Sequence, residues 1–331
     1  MLNNQKIYFA VLYLSGAIFL FSAGCEQQQK PVDLYLDAVM LAELNQKEMA
    51  IAKLNEAVTL DKSFLPAYSL LGQIYTDAND YENSAAAYEK ATQLNNWSFK
   101  DHFNLGRAYE NLKKFDQAAI AYARSAEIDA KNFQAHINAA RCFFETKDYD
   151  SASRFARLAE EINPNSAQPP MLLADVCKAK NDYNGLIGSL ERVLQIEPNN
   201  PEIMTTLADA YLKTRRYQPA RDLFLSLTQL QPDDAAGFQN LGYCYLKLNG
   251  ADGAIDAYSA AIDISSKDWQ SRNALGAAYI LKADEEDDPQ LKLEAIRQWK
   301  LSLALKPDQP NRVSLRKLIE KYLEELQELE K

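Results

Sequence analysis

One spacing governs this chain, a period of 34 residues. The stretches YENSAAAYEKATQL, from Tyr81, and FDQAAIAYARSAEI, from Phe115, superimpose at that offset, and Tyr149, Tyr183 and Tyr217 continue the series. Gly72, Gly106, Gly242 and Gly276 occupy one position of the frame; Ala38, Ala140, Ala174 and Ala208 fill it elsewhere. Tyr75, Tyr109, Phe143, Tyr211, Tyr245 and Tyr279 lie three residues further on, and Pro164, Pro198 and Pro232 share a position near the end of the unit. A unit this short cannot bury its own apolar face. Units in fixed register must therefore stack on one another.

Inside each unit the apolar positions recur at three- and four-residue spacing, which predicts two helices. The Gly or Ala lets the pair approach closely, and the aromatics fill the space around that contact. Proline after the second helix stops it, because the residue before a proline is pushed out of the helical region. Pro219 falls in the first turn of a second helix, where its missing N–H costs nothing. Only 11 Gly occur in 331 residues, which also favours helix.

A large residue, Leu-Gly, an aromatic, Ala, an aromatic, Ala and finally Pro together resemble the tetratricopeptide repeat. The resemblance implies an all-α chain, an α-α superhelix. The frame divides it into 31–64, 65–98, 99–132, 133–166, 167–200, 201–234, 235–268 and a lengthened eighth repeat, 269–309. The extra residues, about seven, fall before Ala295. Residues 310–331 are expected to form a capping helix, with Val313, Leu315, Leu318, Ile319, Tyr322, Leu323, Leu326 and Leu329 on one stripe and Glu and Lys opposite. Two repeats depart from the pattern. The first has Asp37 where Leu is usual, and the fifth carries Pro170, Cys177 and Leu186 at core positions with Gly185 and Gly188 in its second helix. The fifth is thus a place for either a local bend or a tolerated variant.

The first thirty residues have another character. Lys6 is the only charge before an apolar run from Ile7 to Phe21, which ends in Ser22-Ala23-Gly24-Cys25. A basic head, an apolar segment and small residues describe a secretory signal. The run falls short of the about 20 apolar residues of a membrane-spanning helix. Ser22 to Cys25 resembles the bacterial lipobox, with Ser22 where Leu is usual. That resemblance implies removal of residues 1–24 and lipidation of Cys25, with 25–30 a short linker. An uncleaved signal anchor is the alternative. From Cys25 to Pro31 the chain reaches at most about 20 Å, so whatever follows is held close to the bilayer.

Charge narrows the partners. A net charge of −10 and a pI of about 4.9 argue against nucleic-acid phosphates and against anionic headgroups. Membrane association then requires the hydrophobic anchor. The other cysteines, Cys142, Cys177 and Cys244, make no disulfide framework or zinc pair and read as buried thiols.

In the repeat family the first helices line a concave face that holds a peptide or partner helix, and Asn at the sixth position commonly points into it. The matching residues here are Asn104, Asn138 and Asn240, with Leu172 and Thr206 between them; the eighth repeat has Ala274, with Asn273 one place earlier. An amide offers one acceptor and two donors, enough to pair with the backbone of any extended chain. One turn onward stand Arg107 and Arg141, and one turn before Asn104 stands Lys100. A basic strip in an acidic protein suggests a carboxylate-bearing segment; pairing with Glu110 or Glu145 is the plainer alternative. The Lys at the fifth position that family members use to clamp a chaperone's C-terminal carboxylate is missing, so that function does not carry over.

His102 and His136, 34 apart, sit where a packing aromatic is usual and read as packing residues with no third metal ligand in frame. Asp284 to Asp288, DEEDD, reads as a solvated acidic loop without calcium-loop spacing. Trp97 lies between repeats as an exposed contact candidate. No phosphate loop, GxSxG or metal triad occurs, so neither an enzyme nor a cofactor is expected. The reading is a lipid-anchored scaffold at a bacterial cell or outer membrane, facing periplasm or exterior, whose groove holds a peptide or protein. By analogy it resembles lipoproteins of type IV pilus secretin assembly and of cell-wall enzyme scaffolding. The alternative is a glycan-binding component of polysaccharide export.

Overall fold

The computed structural model describes residues 30–329; the leader, Cys25 and its lipobox lie outside them. Among the described residues there are seventeen α-helices and no strand. The chain forms two compact units, Met1–Thr146 and Lys147–Lys331.

The first unit holds α1 (Pro31–Glu43), α2 (Lys47–Leu60), α3 (Leu65–Asp77), α4 (Tyr81–Leu94), α5 (Phe99–Asn111), α6 (Phe115–Ile128) and α7 (Phe133–Glu145). The second holds α8 (Tyr149–Ile162), α9 (Gln168–Ala179), α10 (Tyr183–Ile196), α11 (Pro201–Lys213), α12 (Tyr217–Leu230), α13 (Ala235–Lys247), α14 (Ala251–Ile264), α15 (Trp269–Glu286), α16 (Pro289–Leu305) and α17 (Arg312–Leu329). Within each unit a helix packs on the one before and the one after it in the chain, with lesser contact two helices away.

The small-residue position explains how the hairpins close. A Cβ at Gly72, Gly106 or Gly242 would stand 2.7, 2.8 or 2.9 Å from the ring of Tyr88, Tyr122 or Tyr258. Each of those tyrosines follows its glycine by 16 residues, so the ring lies flat against bare backbone. Gly276 faces Trp299 instead, whose Cδ1 an added Cβ would meet at 2.6 Å; the ring comes seven residues later because the hairpin is longer. Ala38 and Ala174 share their apolar clusters with the smaller Leu54 and Leu190.

The turn inside each hairpin is also periodic. Asn45, Asn79, Lys113, Lys147, Asn181, Arg215 and Asn249 all have φ between 56° and 64°. The next N–H reaches back to the carbonyl five residues earlier, as from Lys114 to Tyr109 at 2.9 Å and from Gly250 to Tyr245 at 2.8 Å. This left-handed helix end suits Gly or Asn, yet two of the seven are lysine and one is arginine. Lys113→Gly is therefore expected to raise stability by about 0.5–1 kcal/mol, relief of the left-handed strain exceeding the added freedom of the unfolded chain. Asn79→Gly should gain less, since Asn tolerates that conformation. Urea denaturation of both variants measures this, and a net loss for Lys113→Gly would refute it.

Three features differ from the sequence reading, and the fifth repeat takes the tolerated-variant alternative. Cys142 and Cys244 are buried, but Cys177 is half-buried, its sulfur lying where a Cβ on Gly185 would meet it at 2.6 Å. Gly185 thus serves a close approach, and α10 runs unbroken through it and Gly188. The acidic stretch is not a loop: Asp284 to Glu286 end α15, Asp287 turns left-handed at φ 52°, and Asp288 caps α16 by accepting from the N–H of Gln290. The insertion lengthens both helices and leaves the turn short. On α17, Leu315, Ile319 and Tyr322 are buried against α16, whereas Val313 and Leu318 are exposed, because the stripe starts one turn later and is narrower than the hydropathy pattern.

Polar groups close the same end. Gln309 is buried, and its side-chain oxygen accepts from Asn273 at 2.6 Å. Ser302 donates to the carbonyl of Trp269 at 2.8 Å. Asn273 therefore works inside the fold.

Candidate functional site

The site builds on α5 and α7 of the first unit. Ser98 and Asn132 cap their starts, accepting from the N–H groups of Asp101 and Ala135. The two first turns are thereby fixed, and side chains at three- and four-residue intervals share a face. On α5 these are Phe103, Arg107 and Glu110; on α7 they are Gln134, Asn138 and Arg141. Together with Tyr122 from α6 they line a cleft of about 510 Å³.

A continuous polar network runs along it. The Tyr122 hydroxyl donates to Glu110 Oε2 at 2.8 Å. Arg141 Nη2 donates to Glu110 Oε1 at 3.0 Å and to Asn138 Oδ1 at 3.1 Å. Gln134 Nε2 donates to the same Asn138 oxygen at 2.7 Å. Both carboxylate oxygens of Glu110 are occupied, and the buried Asn138 amide is held in place through its oxygen. Burial, then the charge of Glu110, pushes the Tyr122 hydroxyl well above the usual tyrosine range, so it stays a donor. The same two causes in the same order push Cys142 up to about 12. The aromatic floor is built by Phe103, stacked on Phe99 at 5.6 Å and edge-on to Tyr122 at 5.4 Å.

The sequence-predicted residues divide. Arg107, Asn138 and Arg141 meet at the cleft, and Asn104 joins them through Arg107, whose Nη1 lies 3.4 Å from Asn104 Oδ1. Lys100 is exposed in the first turn of α5 and does not line the cleft. Asn240 is half-buried on α13, in the second unit. Arg141 is neutralised by Glu110, the plainer alternative for that residue, while no carboxylate among the described residues lies within ion-pair distance of Arg107. Of the two arginines at the cleft, Arg107 is the one outside an ion pair. Sequence reasoning missed Phe103, Gln134 and Tyr122; Gln134 could have been found one turn before Asn138.

The histidines pack. His102 shares a hydrogen bond with Asn96 Oδ1 at 3.1 Å, and His136 one with the carbonyl of Ala130 at 3.2 Å. Burial lowers the His102 pKa below its ordinary value. Among the described residues no cluster of three metal-ligating side chains occurs, and no helix is long and apolar enough to cross a membrane. Trp97 is 72% exposed, with the Arg124 guanidinium 4.6 Å from its ring centre.

Comparison with curated proteins finds no match. Solved structures do resemble the chain. The C-terminal part of a TPR repeat-containing protein from Cytophaga hutchinsonii superimposes with a TM-score of 0.51 at 16% identity, covering 74% of this chain and 97% of that one. Naa15/Naa10 bound to HypK-THB gives 0.59 at 15% identity, covering 85% of this chain and 43% of that one. YrrB, described as a TPR protein with an unusual peptide-binding site, gives 0.44 at 19% identity, covering 56% and 96%. These likenesses concern the fold alone. Two family models, both described as tetratricopeptide repeat, match residues 113–176 and 178–242 and residues 65–96 and 235–268. Together these matches cover more than half of the residues, and this chain belongs to the tetratricopeptide repeat proteins.

Proposed function

We propose that the protein is a lipid-anchored interaction scaffold of the bacterial envelope, whose first unit captures an extended, carboxylate-bearing peptide segment of a partner protein. The observation that carries this reading is the cleft between α5 and α7. It offers an aromatic floor, a fixed amide at Asn138 and one guanidinium, Arg107, with no internal counter-charge. An arginine engages a carboxylate in bidentate fashion. The amide then pairs with peptide backbone whatever the side chains, which gives affinity with little sequence preference. The mechanism is recruitment without bond-breaking: the anchor at Cys25 fixes the location and raises the effective concentration of the partner. Secretin assembly and cell-wall enzyme scaffolding are the settings that the anchor and repeats favour by analogy.

Peptide and glycan arrays probed with the purified protein test this. Acidic extended peptides should bind best, and Arg107→Glu should weaken them at least about tenfold, or about 1.4 kcal/mol. Arg141→Ala should cost less, since its charge is already spent on Glu110. Peptide binding indifferent to Arg107→Glu would remove the proposal; glycan binding through Phe103 would assign the cleft to saccharide.

A further inference from the structure

The last described helix and the first are finished differently. At the last helix, Leu315, Ile319 and Tyr322 turn inward, while Arg316, Lys317, Glu320, Lys321 and Glu324 face water. That is the polar backing a terminal repeat needs. The first helix lacks it. Leu34 and Ala38 of α1 are wholly buried, but on the opposite side Val32, Leu36 and Met40 are 51%, 53% and 56% exposed, and Leu44, just past the helix, is 69% exposed. Four aliphatic side chains at four-residue spacing form one stripe that no described residue covers. Scattered exposed leucines need no explanation, but a contiguous apolar row does.

We infer that this stripe docks on the lipid surface, so that α1 lies against the bilayer that holds the anchor. The inference rests on the lipidation of Cys25 proposed above. The linker from Cys25 to Pro31 reaches at most about 20 Å, which keeps α1 beside the headgroups permanently. Under such a tether even weak apolar contact is well populated, because the effective concentration of the interface is high. A second copy is a poorer occupant: a stable dimer needs about 800 Å² from each partner, more than four side chains supply. The flanking charges set the lipid preference. Lys30, Asp33 and Glu43 are exposed beside the stripe, and Asp37 is half-buried. The polar side therefore has a net negative charge, unlike the basic face of helices drawn to anionic lipid. Docking rests on hydrocarbon contact and weakens as anionic lipid is added. Its consequence is orientation: a helix lying on the membrane converts a flexible tether into a fixed mount for the first unit.

The test uses the full-length protein, matured in its own membrane, purified in detergent and reconstituted into phosphatidylcholine vesicles. A photo-activatable diazirine side chain replaces Leu36 in one preparation and Ile120, which is 67% exposed on α6, in another. After irradiation, lipid adducts at position 36 should exceed those at position 120 by about tenfold, and should fall in vesicles enriched in phosphatidylglycerol. Equal yields overturn the proposal. Cross-linked dimers at position 36 also overturn it and assign the stripe to a second copy. Mass analysis of Cys25 and vesicle flotation separate the two readings. An acylated, floating protein without adducts at position 36 sinks the docking alone, and an unacylated Cys25 sinks the anchor and the docking together.

Discussion

Trp299→Ala is expected to destabilise the C-terminal end of the chain by about 3–5 kcal/mol. The indole is 3% exposed, fills the space that Gly276 leaves, and lies 5.9 Å from the Tyr322 ring, so it joins α15, α16 and α17 in one contact. Its Nε1–H donates to the carbonyl of Asn273 at 3.0 Å, and truncation removes that bond as well. In stacked repeats, stability is a sum of unit and nearest-neighbour terms, so the loss stays local. Hydrogen exchange should quicken across α15, α16 and α17 while α11 and α12 keep their protection. Gly276→Ala should reproduce the effect at about 1–3 kcal/mol, because its Cβ would push on a ring and not on the end of a flexible chain. Uniform acceleration over the whole second unit would contradict the local picture.

The second large effect is at Tyr122, which is 0% exposed and supports the cleft from below. Tyr122→Ala should cost about 3–5 kcal/mol and abolish peptide capture with it. Tyr122→Phe separates the two roles. It keeps the ring against Gly106 and loses only the bond to Glu110, about 1.5 kcal/mol for a bond to a charged acceptor. Glu110 then gains a free oxygen a turn from Arg107 and competes with an incoming carboxylate. Acidic peptides should bind Tyr122→Phe more weakly although the hydroxyl never touches them, and neutral peptides should bind it unchanged. Denaturation curves and peptide titrations read the two effects independently. Equal weakening of neutral peptides would mean that the floor itself had moved.

Much of the architecture can be read from spacing alone, because the 34-residue period imposes the same burial demand at every turn. The glycine position was legible; its partner was less so. Tyr88, Tyr122 and Tyr258 stand 16 residues after their glycines, yet only coordinates reveal that ring and backbone touch. The left-handed turns escaped notice since Lys113, Lys147 and Arg215 do not look like turn residues, although their register marks them as equivalents of Asn79. DEEDD misled because acidic runs are usually solvated loops, and here helix propensity in the lengthened hairpin prevailed. At the cleft, the frame placed Arg107, Asn138 and Arg141 on one face. It could not decide that Glu110 would take Arg141 and leave Arg107, since both arginines share the same register and only side-chain reach distinguishes them.

Because helices within each unit meet their neighbours in the chain and, more weakly, the helix two places away, no segment waits for a distant one before it can settle. Chains with such local contacts fold fast. If the chain is exported as proposed, a hairpin emerging from a translocation pore can close as soon as its successor follows, and assembly then proceeds from the amino end in step with export. The first helix is then in place before the last has crossed.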